Sequence, residues 1–117
     1  MSRGIGVYAD KVIESDEEII YEYGGYNLNE EKFRNEDNLR DGIITISKSC
    51  FTNHYSVSVE YGKMIEDGRI TIKNCTNCWH TTDDEKCIDI MALHILANLF
   101  HNYQKNRQIP EHISYNV

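Results

Sequence analysis

The stretch KNCTNCWHTTDDEKC, residues 73–87, gathers three of the four cysteines, the single tryptophan and a histidine. Cys75 and Cys78 form a CxxC turn, in which two intervening residues let the chain reverse and present two thiolates from one tight loop. Zinc takes four N or S ligands in a tetrahedron, and a site filled entirely by protein is structural rather than catalytic. Cys50 and Cys87 complete a four-thiol set with Cys75 and Cys78, and His80 is the substitute ligand should one cysteine fall out of reach. The expected cofactor is therefore one structural Zn2+. Free thiols are the alternative. A redox pair is a weaker reading, because such a pair normally opens its helix directly, and here Trp79, His80 and Thr81 intervene before the next helix-start signal at Thr82.

No other chemistry is spelled out by spacing. The chain shows no nucleophile–base pair, phosphate loop or His-x-Glu ahead of a Pro-Cys-x-x-Cys. His54, His94, His101 and His112 each lack a second ligand around them, and catalytic residues are expected to be absent. An enzyme using His80 with Asp83 or Asp84 at an open zinc is the remaining catalytic alternative.

The elements that would position the cysteines follow from periodicity. Ile44 and Ile46 alternate with Thr45 and Ser47, and Ile70 and Ile72 with Thr71 and Lys73, the period of half-buried strands. Each run follows an Asp-Gly pair, Asp41-Gly42 and Asp67-Gly68, and each is followed by a cysteine, Cys50 or Cys75. Further strands are expected at Ile5–Tyr8, Glu18–Tyr23 and Tyr55–Tyr61. A short helix capped by Asn29 fits the polar stretch 27–40.

Thr82-Asp83-Asp84-Glu85 matches the capping box. After it, Ile88, Met91, Ala92, Ile95, Leu96, Leu99 and Tyr103 recur at helical spacing, with Leu93 and Phe100 widening the stripe. Pro110 stops any continuation, and the tail EHISYNV carries no usable pattern. The expected fold is a single α+β domain over residues 1–117: an antiparallel sheet of four to five strands, covered on one face by a long C-terminal helix and stapled by zinc.

Charge bounds the partners. The chain carries 12 basic and 19 acidic side chains, net −7. Residues 1–41 hold 11 acidic and 5 basic groups, whereas residues 42–117 hold 8 and 7. With no Lys/Arg stripe, direct nucleic-acid binding is not expected. No stretch is long and apolar enough for a membrane span or a secretory signal, so a cytoplasmic protein with reduced thiols is expected. A local acidic surface suits a basic partner through complementary potential. Glu30, Glu31, Glu36 and Asp37 are the candidate contact residues, with Trp79 as an aromatic anchor beside the CxxC turn.

In general profile the chain resembles the small acidic inhibitors of phages and mobile elements, in particular the anti-CRISPR proteins that block an RNA-guided nuclease. The short acidic chain, the Tyr-rich acidic segment 14–41 and the set Cys50, Cys75, Cys78, Cys87 carry that resemblance. It implies inhibition by occupancy of a basic nucleic-acid channel in the host cytoplasm. An immunity protein or antitoxin neutralising a basic toxin is the rival within the binding class.

Overall fold

The computed structural model describes residues 4–35, 39–51, 61–83 and 87–116. Five strands form one antiparallel sheet: β1 Ile5–Glu14, β2 Glu18–Asn27, β3 Gly42–Ser47, β4 Ile70–Lys73 and β5 His112–Asn116, in the order β4-β3-β2-β1-β5. The helices are α1, Tyr61–Glu66, leading into β4, and α2, Ile90–Asn106. The α+β expectation holds in this form: five antiparallel strands and one long helix.

Alternation decides which face is buried. Val7, Ala9, Ile19, Tyr21, Tyr23, Ile44, Ile46, Ile70 and Ile113 point inward and pack with Met91, Ala92, Ile95, Leu96, Leu99 and Phe100 of α2. Burying an aliphatic or aromatic side chain is worth about 1.5–3 kcal/mol, so this two-layer contact is the main source of cohesion. The helix ends at Asn106, with Arg107 in the left-handed region (φ 56°) and its N–H donating to the Tyr103 carbonyl at 2.7 Å. Pro110 lies beyond that stop.

Four sequence expectations change. The helix is capped by Asp89, not Thr82: the Asp89 side chain accepts from the Met91 N–H at 2.9 Å. Thr82 instead folds back on Ile88, accepting that residue's N–H on its hydroxyl at 3.1 Å and donating its own N–H to the Ile88 carbonyl at 2.8 Å. Cys87, at φ 46°, breaks the helical course that a start at Thr82 needs; Glu85, the other half of the expected box, lies outside the described residues. The tail forms edge strand β5, paired with β1 from Gly6↔Asn116 to Asp10↔His112. Among the described residues of the stretch 27–40 the helical element is a single 3-10 turn, Glu31–Phe33, entered from Glu30. Most of the expected strand Tyr55–Tyr61 lies outside the described residues, and its last position, Tyr61, opens α1.

The two Asp-Gly pairs do different work. Gly68 makes the turn before β4 with φ +79°, a conformation that favours glycine. Gly42 is needed for space, because a Cβ there would come within 2.2 Å of the Tyr23 ring.

The outer face of the sheet is not bare. The segment Leu39–Arg40 crosses it above Gly24, and the Arg40 guanidinium lies 4.4 Å from the Tyr8 ring centroid and forms an ion pair with the Asp10 carboxylate at 2.8 Å. The Asn35 amide group fastens the same segment, 2.6 Å from the Tyr8 hydroxyl and 3.1 Å from both the Gly25 and Leu39 carbonyls.

Candidate functional site at the CxxC end of the sheet

β2 ends, β3 begins, β4 ends and α2 begins at one end of the sheet, and the CxxC turn sits there. The Cys78 N–H donates to the Cys75 carbonyl at 3.2 Å, closing a four-residue turn over Thr76 and Asn77. Three polar side chains pin this turn to its neighbours. Asn77 donates to the carbonyls of Gly25 and Phe33, both at 2.8 Å. Asp41 accepts from the Thr76 N–H at 2.9 Å and from the Thr76 hydroxyl. Asn74 donates to the Cys87 carbonyl at 2.7 Å and accepts the Asp89 N–H at 3.0 Å, holding residues 87–89 against the turn.

At the centre lies Asp89, 1% exposed. A buried carboxylate must be supplied with donors. Its Oδ1 takes the Met91 N–H, and its Oδ2 takes the Tyr23 hydroxyl at 2.9 Å and the Cys75 thiol at 3.7 Å, while Cys78 also bonds it. The Tyr23 oxygen in turn accepts the Cys75 N–H at 3.1 Å. Burial, reinforced by the Asp89 charge, pushes the Cys75 thiol up to about 11 and the Cys78 thiol up to about 12. The same two causes, in the same order, raise the Tyr23 phenol far above its ordinary range. All three groups are thus protonated at neutral pH and serve as donors to one carboxylate. Asp89 was missed in the sequence because its partners come from 66 and 14 residues away. The one local signal was an acidic residue directly before the helical stripe, overshadowed by Thr82.

The four-thiol centre is not assembled. β3 and β4 are antiparallel, from Ile43↔Lys73 to Ile46↔Ile70, so the cysteines that follow their C-terminal ends lie at opposite ends of the sheet. Cys50 is buried there beside Arg69, its thiol 4.0 Å from the Arg69 carbonyl. With strands rising about 3.3 Å per residue, roughly 20 Å separates it from Cys75. Burial raises the Cys50 thiol, against a lowering pull from Arg69. Cys87 and His80 are exposed. Among the described residues, no group of three or more His, Cys, Asp and Glu side chains is arranged to hold a metal ion. These residues do not fit the zinc staple as expected. All four cysteines are free of disulfides.

Trp79 is half-buried against the core, its ring 5.4 Å from that of His80, and its buried indole N–H meets no acceptor among the described residues. Glu30 and Glu31 are exposed at this same end, next to Phe33. Glu36 and Asp37 lie outside the described residues. Among the described residues, the acidity of 1–41 is divided, not gathered on one face. Asp16, Glu17 and Glu18 cluster at the β1–β2 turn, and β2 separates them from Glu30 by about 30 Å at the usual strand rise. Asp10 is paired with Arg40 and lies 2.7 Å from the His112 ring nitrogen, and Glu14 is paired with Lys11 and Lys48.

The Asp41 tie is sensitive to acid. Burial works to raise its carboxyl, but the Thr76 hydroxyl and amide outweigh that and hold it below the ordinary range. A depressed folded value contributes stability above the unfolded value of about 3.9, lost as pH falls through the folded value. Protection of the Thr76 amide in hydrogen exchange should therefore decline below about pH 4, and Asp41→Asn should make it insensitive to pH there.

No helix among the described residues is long and apolar enough to cross a membrane. No family model, curated protein or solved structure matches the chain, so the reading of its function rests on the geometry above.

Proposed function

We propose that the chain is a small acidic binding protein that inhibits a basic, nucleic-acid-processing effector by contact, in the manner of an anti-CRISPR protein, and that the CxxC end of the sheet makes the contact. One observation carries this: the Asn77 side chain bonds Gly25 and Phe33 together, setting the exposed carboxylates of Glu30 and Glu31 beside the turn that bears Trp79 and His80. Charge and an aromatic anchor then share one surface. Exposed charges of this kind act chiefly on encounter rate and specificity, and Trp is enriched among residues that dominate binding energy.

The test is target cleavage by a panel of purified RNA-guided nucleases, with wild type and the Glu30→Lys/Glu31→Lys variant. Wild type should inhibit at least one enzyme, and association should slow and lose much of its salt dependence in the variant. Stability should change by no more than about 0.5 kcal/mol, since both side chains are exposed and away from packing features. Absence of binding and inhibition across the panel would reject the effector class. Undiminished inhibition by the variant would move the contact elsewhere.

A further inference from the structure

We propose that Cys75 and Cys78 are a reversible dithiol–disulfide modification site, and that Asp89 is the carboxylate that takes up and hands on their protons. This does not rest on the partner-binding reading. Three features of the geometry support it. The hydrogen-bonded turn from Cys75 to Cys78 holds its end Cα atoms within about 7 Å, the outer limit of disulfide reach. Both thiols face the same carboxylate, Cys75 at 3.7 Å from Oδ2 and Cys78 bonded to it. Backbone N–H groups of Gly25 and His80 approach the two sulfurs and favour their anionic forms.

In space the pair does lie against a helix start, because Asp89, the N-cap of α2, accepts the Cys75 thiol and donates its N–H to Asn74. Cys78 is the more exposed of the two and Cys75 is buried, which assigns the attacking and resolving roles.

The oxidant class is a low-molecular-weight disulfide, RSSR. Cys78 passes its proton to Asp89 and its sulfur attacks RSSR; a Cys78–SR bond forms, the RS–SR bond breaks, and the departing thiolate takes the proton as RSH. Cys75 then passes its proton to Asp89 and attacks the Cys78 sulfur, forming the Cys75–Cys78 bond and expelling a second RSH. Two electrons move from the dithiol to RSSR, and two protons leave with the products. The raised thiols make the exchange slow without the carboxylate, since only the thiolate attacks. Oxidation also removes the two S–H donors from the Asp89 carboxylate, leaving its Oδ2 the Tyr23 hydroxyl, so the first turn of α2 is held less firmly.

The experiment equilibrates the full chain in buffers of rising glutathione disulfide to glutathione ratio, in wild type and in a Cys87→Ser background that removes the exposed thiol. Alkylation and mass mapping should show Cys75 and Cys78 lost together with two hydrogens, while Cys50 stays alkylatable on unfolding. Trp79, the single tryptophan and adjacent to Cys78, should lose fluorescence in the same transition, and exchange at the Met91 amide should quicken about tenfold. Asp89→Asn should slow closure of the mixed disulfide at least tenfold. Cys78→Ser, at a part-exposed position, should abolish the transition even if Cys75→Ser fails to fold. The proposal is overturned by a disulfide mapped to any other pair, by four alkylatable thiols at every ratio, or by stoichiometric zinc that protects Cys75 and Cys78 from alkylation in the reduced protein.

Discussion

Asp89→Ala should destabilise the protein by about 3 kcal/mol, the largest loss expected from any polar substitution in it. Two effects add. The helix loses its N-cap, typically about 1 kcal/mol and up to about 2 in favourable cases. In addition, the Tyr23 hydroxyl and the Cys75 thiol, both buried, lose their common acceptor, and an orphaned buried polar group costs about 1–3 kcal/mol. Against a typical total of 5–15 kcal/mol that is a large fraction. Asp89→Asn separates the two contributions, because Asn caps a helix as well as Asp does, yet it presents one NH2 where the carboxylate accepts. Chemical denaturation should place Asn between wild type and Ala. If Asn matches wild type, the convergence of donors on Oδ2 contributes little and capping alone explains the residue. Tyr23→Phe, which removes one donor and leaves the cap, should lose less than either.

The second large effect is expected at one of two adjacent glycines. A Cβ at Gly24 would lie 1.9 Å from the Leu39 carbonyl oxygen and 3.0 Å from its carbon, whereas at Gly25 it would meet only the Gly6 carbonyl at 3.5 Å. The first obstacle is backbone and cannot swing aside; the second is ordinary contact. Gly24→Ala should therefore cost about 2 kcal/mol, in the range of overpacking, and lift the 39–40 segment so that Arg40 leaves the Tyr8 ring and Asp10. Gly25→Ala should stay within about 0.5 kcal/mol, helped by the reduced freedom of its unfolded chain. Paired denaturation curves check the contrast, and the chemical shift of the Arg40 Nε proton reports the lift. Equal losses in the two variants would mean that the crossing segment yields without penalty.

Both predictions concern residues whose weight was invisible in the order of amino acids, and the division is physical. By itself the sequence determined the strands around Glu18–Tyr23, Ile44–Ser47 and Ile70–Lys73 and the buried stripe from Met91 to Phe100. Each of these is a local periodicity imposed by burial of one face, and period alone reports it. It also determined that Cys75 and Cys78 share a turn, since only two residues separate them. The edge strand β5 was legible in principle, as Ile113 and Tyr115 alternate with His112, Ser114 and Asn116, but five residues with one fully buried side chain give too short a pattern to stand out.

What only the tertiary structure decided is everything that depends on chain direction and on partners distant in sequence. The antiparallel register of β3 and β4 sends Cys50 and Cys75 to opposite ends, although both follow an Ile-Thr-Ile run. The length of β2 divides an acidic third that reads as one block into two clusters. The competition between Thr82 and Asp89 for the helix start was settled by Tyr23, Cys75 and Asn74, which reach Asp89 from 66, 14 and 15 residues away. A cap is a local motif, but burying its carboxylate is favourable only where donors converge, and that convergence exists only in the folded chain.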